Sequence, residues 1–280
     1  LMLNRTESRR DYNEDFRYEE VKEILEGLFG FQIPNIPHGD TLNHLWKELS
    51  IQELEHLKHC LLYTLIRGKY LDKFRFKGTF MIAIDGVELY RFDNRHCENC
   101  LYAKVGAKGE YQYYHRVLEA KLICANGFSF SICTEFIENA HPDREDKKQD
   151  CELKAFYLLE TKLKKLFPRL PMTLLADSLY PKGPVFEICR KNKWHYLLVL
   201  QSTVLTTLWE DFEGLFGMGD NALGVKEKFP MFLKDNLLYR WQNELSYQGQ
   251  NFDGTVNLMT VSQSDASGEY QVIRAFITNW

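Results

Sequence analysis

Apolar positions recur along this chain at two spacings, one helical and one strand-like, and the changes between them mark its elements. From Tyr18 to Phe29, Val21, Ile24, Leu25, Leu28 and Phe29 fall at helical spacing. Pro34 and Pro37 interrupt that pattern. Asp40 and Thr41 are placed to cap a second helix carrying Leu42, Leu45 and Trp46. Ser50 with Glu53 three residues on fits a capping box opening a third helix, through Leu54, Leu57, Leu61, Leu62 and Leu65. At Phe80 the pattern changes. Phe80, Met81, Ile82, Ala83 and Ile84 form a continuous apolar run, which suits a strand buried on both faces. The run ends at Asp85 and Gly86. Residues 87–110 are polar and read as a loop. Residues 111–137 read as a hairpin, with a strand from Tyr114 to Ala125, a type I′ turn signal at Asn126 and Gly127, and a returning strand. That return alternates Phe128, Phe130, Ile132, Thr134 and Phe136 against Ser129, Ser131, Cys133 and Glu135. Residues 138–150 are polar and read as a loop. Leu153, Phe156, Leu159, Leu163 and Leu166 then mark the buried stripe of a helix over about 149–167, stopped by Pro168 and Pro171. A second apolar run, Met172 to Ala176, ends at Asp177. A short helix from Val185 to Lys193 and a strand from His195 to Leu200 follow. Beyond them, 206–212 reads as a helical turn. Leu237 to Tyr247, Val256 to Ser262 and Tyr270 to Thr278 read as strands, with turns at Gly249, Asp253-Gly254 and Ser267-Gly268.

Residues 80–201 therefore run strand, strand, strand, helix, strand, helix, strand. Right-handed crossovers put the later strands parallel to the first. This is an α/β order, that of a ribonuclease H-like mixed sheet with flanking helices. An N-terminal helical region, 1–79, precedes it, and a β-rich insertion, 202–280, follows. In that order the first strand lies beside the fourth, which brings Asp85 next to Asp177.

Ligands gather at the carboxyl ends of parallel strands in open α/β sheets. Two carboxylates held together there repel one another and stay ionised only around positive charge. All-oxygen ligands suit Mg²⁺ or Mn²⁺, and the implied chemistry is metal-assisted attack on a phosphodiester. The competing reading is that each aspartate caps the turn or helix after it. Asp150 and Glu152 open the helix before the second run. Resemblance of this element order to ribonuclease H, in which a carboxylate on the corresponding helix helps hold metal, implies that role for either; the helix dipole equally accounts for acids there. His96, Cys97 and Cys100 lie in the loop after the first run. A Cys-x-x-Cys pair is half a zinc site, with His96 and His115 as candidates to complete it; two reduced thiols are the alternative.

The chain has 280 residues, 45% hydrophobic and 26% charged, as in ordinary globular material. No run of apolar residues is long enough to span a bilayer. The net charge of −4 means that a nucleic-acid role must rest on local basic clusters. Two stand out: Arg67, Lys69, Lys73, Arg75 and Lys77, and Lys162, Lys164, Lys165 and Arg169. Seven cysteines without a secretory signal point to free thiols in a reducing cytoplasm. The opening Leu1, and the arrest at Trp280 at the end of a strand, suggest that the natural protein begins earlier and continues further.

Several of these stretches together resemble the DDE-type transposases of bacterial insertion sequences, from about His38 to the end. They are Ile84-Asp85-Gly86, Tyr113-Tyr114-His115 with Glu119 and Lys121, Asn126-Gly127-Phe128, Thr134 to Asn139, and Lys148 to Phe156. Phe167 to Pro171 and Asp177-Ser178-Leu179-Tyr180 complete the set. The subset with a β-rich insertion before the last catalytic helix looks closest. The resemblance implies Mg²⁺-dependent cleavage and strand transfer at insertion-sequence ends, with two metal ions held by three carboxylates. Asp85 matches the first acid and Asp177 the second. The third, a glutamate on a helix after the insertion, is expected beyond residue 280. Ser178 departs from the family, where Gly is common. Double-stranded DNA, as transposon ends and target, is the implied partner, with a homodimer bringing two ends together in the bacterial cytoplasm at the nucleoid and no membrane involved. Two other functions compete: a ribonuclease H-like nuclease completed by Glu152, and an inactive DNA-binding remnant.

Overall fold

The structure is a computed structural model that describes residues 9–15, 18–106, 109–139, 151–217, 231–234, 236–265 and 268–280. The chain divides into two compact units, Leu1–Leu61 and Leu62–Trp280.

The first unit is helical. It comprises α1 (Arg9–Asp15), α2 (Glu19–Phe29), α3 (Gly39–Glu48) and the first part of α4 (Ile51–Arg67). Helix α2 ends at Gly30, whose left-handed backbone (φ 73°) lets its N–H return to the Glu26 carbonyl. Asp40 does not cap α3. His38 holds that position, its Nδ1 accepting from the Asp40 N–H at 3.3 Å. The helix starts two residues earlier than the Asp-Thr signal indicated because Asn13 of α1 reaches its first turn, its Oδ1 accepting from the Gly39 N–H at 2.7 Å. The capping box is present: Ser50 Oγ accepts from the Glu53 N–H (3.2 Å), and Glu53 Oε2 accepts from the Ser50 N–H (3.0 Å).

The second unit is mixed α/β. Its strands are β1 (Phe80–Phe92), β2 (Leu101–Val105), β3 (Glu110–Ile123), β4 (Ser129–Ile137), β5 (Met172–Ala176), β6 (His195–Val199), β7 (Met231–Lys234), β8 (Leu237–Gly249), β9 (Phe252–Ser264) and β10 (Tyr270–Thr278). Its further helices are α5 (Glu152–Leu166), α6 (Gly183–Asn192) and α7 (Thr206–Gly217). All ten strands form one sheet, in the order β2-β3-β1-β5-β6-β10-β9-β8-β7, with β4 also paired to β3. β1, β5 and β6 are mutually parallel, and β3 and β4 run antiparallel in the hairpin on the far side of β1. The apolar runs at 80–84 and 172–176 are thus neighbours in the middle of the sheet. Phe80, Ile82, Met172 and Leu174 are buried beside Phe156, Leu159 and Leu163 of α5 and Val185 and Phe186 of α6. From α4, Leu62, Leu65 and Ile66 join the same core.

Five further expectations are corrected. Residues 87–110 are not one loop, since β1 continues to Phe92 and β2 occupies Leu101–Val105; polar residues extend β1 because its far end is largely open to solvent on both faces. The hairpin turn is not type I′. Only Gly127 has positive φ (87°), and Cys124 receives the Gly127 N–H (3.0 Å) while its own N–H reaches the Phe128 carbonyl (2.8 Å). This is a three-residue turn with a left-handed glycine. The alternation of β4 breaks at Ile132, an extra residue between partners Cys133 and Ser131 of Ala120 and Lys121. Past that bulge the faces exchange, so Ile137 is buried and Phe136 exposed. Asp253 and Gly254 lie inside β9, and the β8–β9 turn is at Gln250 and Asn251 instead. The stretch at 206–212 is the start of a full helix, α7. Residues 140–150, including Lys148 and Asp150, lie outside the described residues, as does Ser267.

Candidate active site around Asp85 and Asp177

Asp85 and Asp177 lie at matching positions. The β1–β5 register pairs Ala83 with Leu175; Asp85 lies two residues further along β1, and Asp177 lies two residues further in the chain, just past the end of β5. Both are exposed. Each anchors one oxygen on nearby backbone: Asp85 Oδ1 accepts from the Gly86 N–H at 2.8 Å, and Asp177 Oδ1 from the Leu179 N–H at 2.9 Å. Those bonds are what the turn-capping reading expects. They leave the second oxygen of each carboxylate without a hydrogen-bond partner among the described residues.

A third acid comes from α5. Cys151 precedes the first turn of this helix and Glu152 opens it. Glu152 lies over Gly86 and is paired with Arg116 of β3. A residue larger than glycine at 86 would put its Cβ against the Glu152 carboxylate. The Glu152 carboxyl is held above the usual carboxylate range, first by burial, with the charge of Arg116 pulling the other way and those of Asp177 and Asp85 pushing it up. Beneath lies Tyr180, fully buried, its hydroxyl without a hydrogen-bond partner. Burial, then the charges of Glu152, Asp177 and Asp85, pushes its phenol far above the ordinary range, so it remains protonated. A cavity of about 220 Å³ opens beside these groups, lined by Tyr114, Arg116, Glu152 and Leu179 among others.

Gly86 and Asp85 are consecutive on β1 and face opposite ways. Glu152, seated over Gly86, does not close on the two aspartates into a compact ligand set. Among the described residues only one group of three has all its ligand atoms within 4.8 Å of one another: Cys97, Cys100 and His115. Their separations are 3.6 Å between the two sulfurs, 3.5 Å from Cys97 Sγ to His115 Nε2 and 3.4 Å from Cys100 Sγ to the same nitrogen. His96 is not in this group; its ring lies 4.1 Å from that of Phe92.

The basic clusters are partly engaged. Arg75 pairs with Asp72 (2.8 Å), while Arg67 and Lys73 lie over the rings of Tyr63 and Phe74. Lys162 pairs with Glu135 of β4 (2.6 Å), and Lys164 donates to the Asn192 carbonyl (3.4 Å). Arg116 escaped the sequence reading. It occupies a β3 position whose only signal is a cation among aromatic and apolar neighbours, and its partner is 36 residues away.

Asp85 and Asp177 offer oxygen atoms of the kind Mg²⁺ or Mn²⁺ takes, but with the half-buried Glu152 they form no compact ligand set among the described residues. Among the described residues no helix is long and apolar enough to cross a membrane. No protein-family model matches this sequence, and no curated protein matches it.

Proposed function

We propose that this chain carries the catalytic aspartates of a DDE-type transposase, an enzyme that cuts and joins DNA at insertion-sequence ends with Mg²⁺, on a ribonuclease H-like sheet. One observation carries the reading: Asp85 within β1 and Asp177 just past β5 each lie two residues beyond the Ala83–Leu175 pair of these neighbouring parallel strands. The strand order β4-β3-β1-β5-β6, with the last three parallel, supports the ribonuclease H-like part of it.

Bound divalent ions would supply Lewis-acid polarisation of a phosphodiester and a more acidic attacking hydroxyl. The second oxygens of Asp85 and Asp177 would hold them. The backbone N–H groups of Gly86 and Leu179 fix how these carboxylates point. Arg116 compensates the charge of Glu152, which keeps a third negative group beside the aspartates in a half-buried setting. Double-stranded DNA, as element ends and target, is the partner this reading requires. A second copy of the chain would bring two ends together, in the bacterial cytoplasm at the nucleoid.

The test is cleavage of a supercoiled plasmid bearing the element's ends, with Mg²⁺ or with chelator. Asp85→Asn and Asp177→Asn are each expected to lower cleavage by roughly 100-fold or more while DNA retention on a filter stays unchanged. Asparagine variants that still cut would remove the site. The seating of the Glu152 carboxylate over Gly86, next to Asp85 in sequence, favours one second reading, a nuclease whose metal set includes Glu152. On that reading Glu152→Gln abolishes cleavage as fully as the aspartate variants, and no strand joining is seen.

A further inference from the structure

The loop between β1 and β2 carries Cys97 and Cys100, and β3 returns alongside it to present His115. In a tetrahedral zinc site, bonds of about 2.3 Å to sulfur and about 2.05 Å to nitrogen place sulfurs roughly 3.8 Å apart and sulfur and nitrogen roughly 3.6 Å apart. The three separations here are 3.6, 3.5 and 3.4 Å. The sulfurs are too far apart for a disulfide, whose bond is about 2.05 Å, and both cysteines are free. We infer that Cys97, Cys100 and His115 bind one Zn²⁺ through Cys97 Sγ, Cys100 Sγ and His115 Nε2.

Two further features fit. Arg95 donates to the carbonyls of Cys97 (3.0 Å) and Glu98 (2.9 Å), which holds the loop in the shape that gathers the sulfurs. The site also has a structural consequence. Cys97 and Cys100 precede β2, and His115 is followed by Arg116, so the metal ties the loop to β3 one residue from the partner of Glu152. No fourth His, Cys, Asp or Glu atom joins the group among the described residues, so these three side chains account for three corners of the zinc tetrahedron. Binding displaces the two thiol protons to solvent, and two thiolates balance the charge of the ion. The inference is independent of the DNA-cleavage reading, because it uses none of Asp85, Asp177 and Glu152.

The test uses the full chain without a histidine tag, purified without chelator, with metal measured by plasma mass spectrometry. About one zinc per chain is expected. Cys97→Ser, Cys100→Ser and His115→Ala are each expected to lower the content at least roughly tenfold. Cys60→Ser is expected to leave it unchanged. A variant that fails to fold is identified by its circular dichroism. The unmutated protein then provides a second measurement, in which zinc is removed and Co²⁺ added. Thiolate-to-cobalt charge-transfer absorption with the visible bands of a tetrahedral ion is expected. Hydrogen exchange should also rise in 93–105 on zinc removal, with α5 and α6 unaffected. Purified protein without zinc whose cobalt form lacks the thiolate band would overturn the inference, as would zinc retained after all three ligands are replaced.

Discussion

Gly86 shows how little room one residue has at the centre of the candidate site. An added Cβ would meet the Glu152 carboxylate and lie 2.8 Å from Arg116 Nη2. Both obstacles are the ends of flexible side chains, which can swing aside. Gly86→Ala is therefore expected to change stability by less than about 1 kcal/mol, yet to separate Glu152 from Arg116 and lower cleavage. Denaturant melts and plasmid nicking measured together check this. Unchanged nicking would show that the pair takes no part in the reaction. Glu152 also makes a pH prediction. Its folded pKa is raised, so the native state binds its proton more readily than the unfolded chain does. Stability from this group is present below the unfolded pKa, about 4.3, and is lost as pH rises through the folded value. Wild type should lose stability relative to Glu152→Gln across that window. The opposite slope would mean that Arg116 outweighs burial.

The elements differ in how far near neighbours determine them. The Ser50–Glu53 capping box formed as its spacing indicated, because donors and acceptors three residues apart need nothing distant. The start of α3 was misread, because Asn13 reaches its first turn from another helix. The bulge at Ile132 was not legible either, since it exists only against the β3 register. Gly183 is a similar case. It opens α6, and a Cβ there would collide with the backbone carbonyl of Gln250, in the turn between β8 and β9. Backbone cannot swing aside as Glu152 can. Gly183→Ala is expected to lose about 1–3 kcal/mol of stability, read from the shift in urea midpoint. An unshifted midpoint would show that this turn yields.

At the scale of the second unit, β10 decides the architecture. Its Phe276, Ile277 and Thr278 pair antiparallel with Val199, Leu198 and Leu197 of β6, so the strands from 237 onward continue the sheet that holds Asp85 and Asp177. Thr278 Oγ1 also donates to the Tyr196 carbonyl at 2.6 Å, and the Tyr196 N–H donates to Asn279 Oδ1 at 3.0 Å. Ile277 is fully buried. Ile277→Ala should cost about 2–5 kcal/mol and lower the protection of β5 and β6 amides along with that of β10. Loss of protection confined to β8–β10 would mean that these strands unfold separately.

Periodicity, capping residues and apolar runs are properties of near neighbours, so the sequence by itself determined most helices, the central strands and the acids that follow their apolar runs. The mixed α/β character and the adjacency of β1 and β5 followed from element order and the handedness of crossovers. Only the tertiary structure decided the extension of β1, the bulge in β4, the pairing of β10 with β6, the Arg116–Glu152 pair over Gly86 and the convergence of His115 on two cysteines. Each of these joins segments distant in sequence. Their register and separation are set by packing of the whole sheet, which no local pattern encodes.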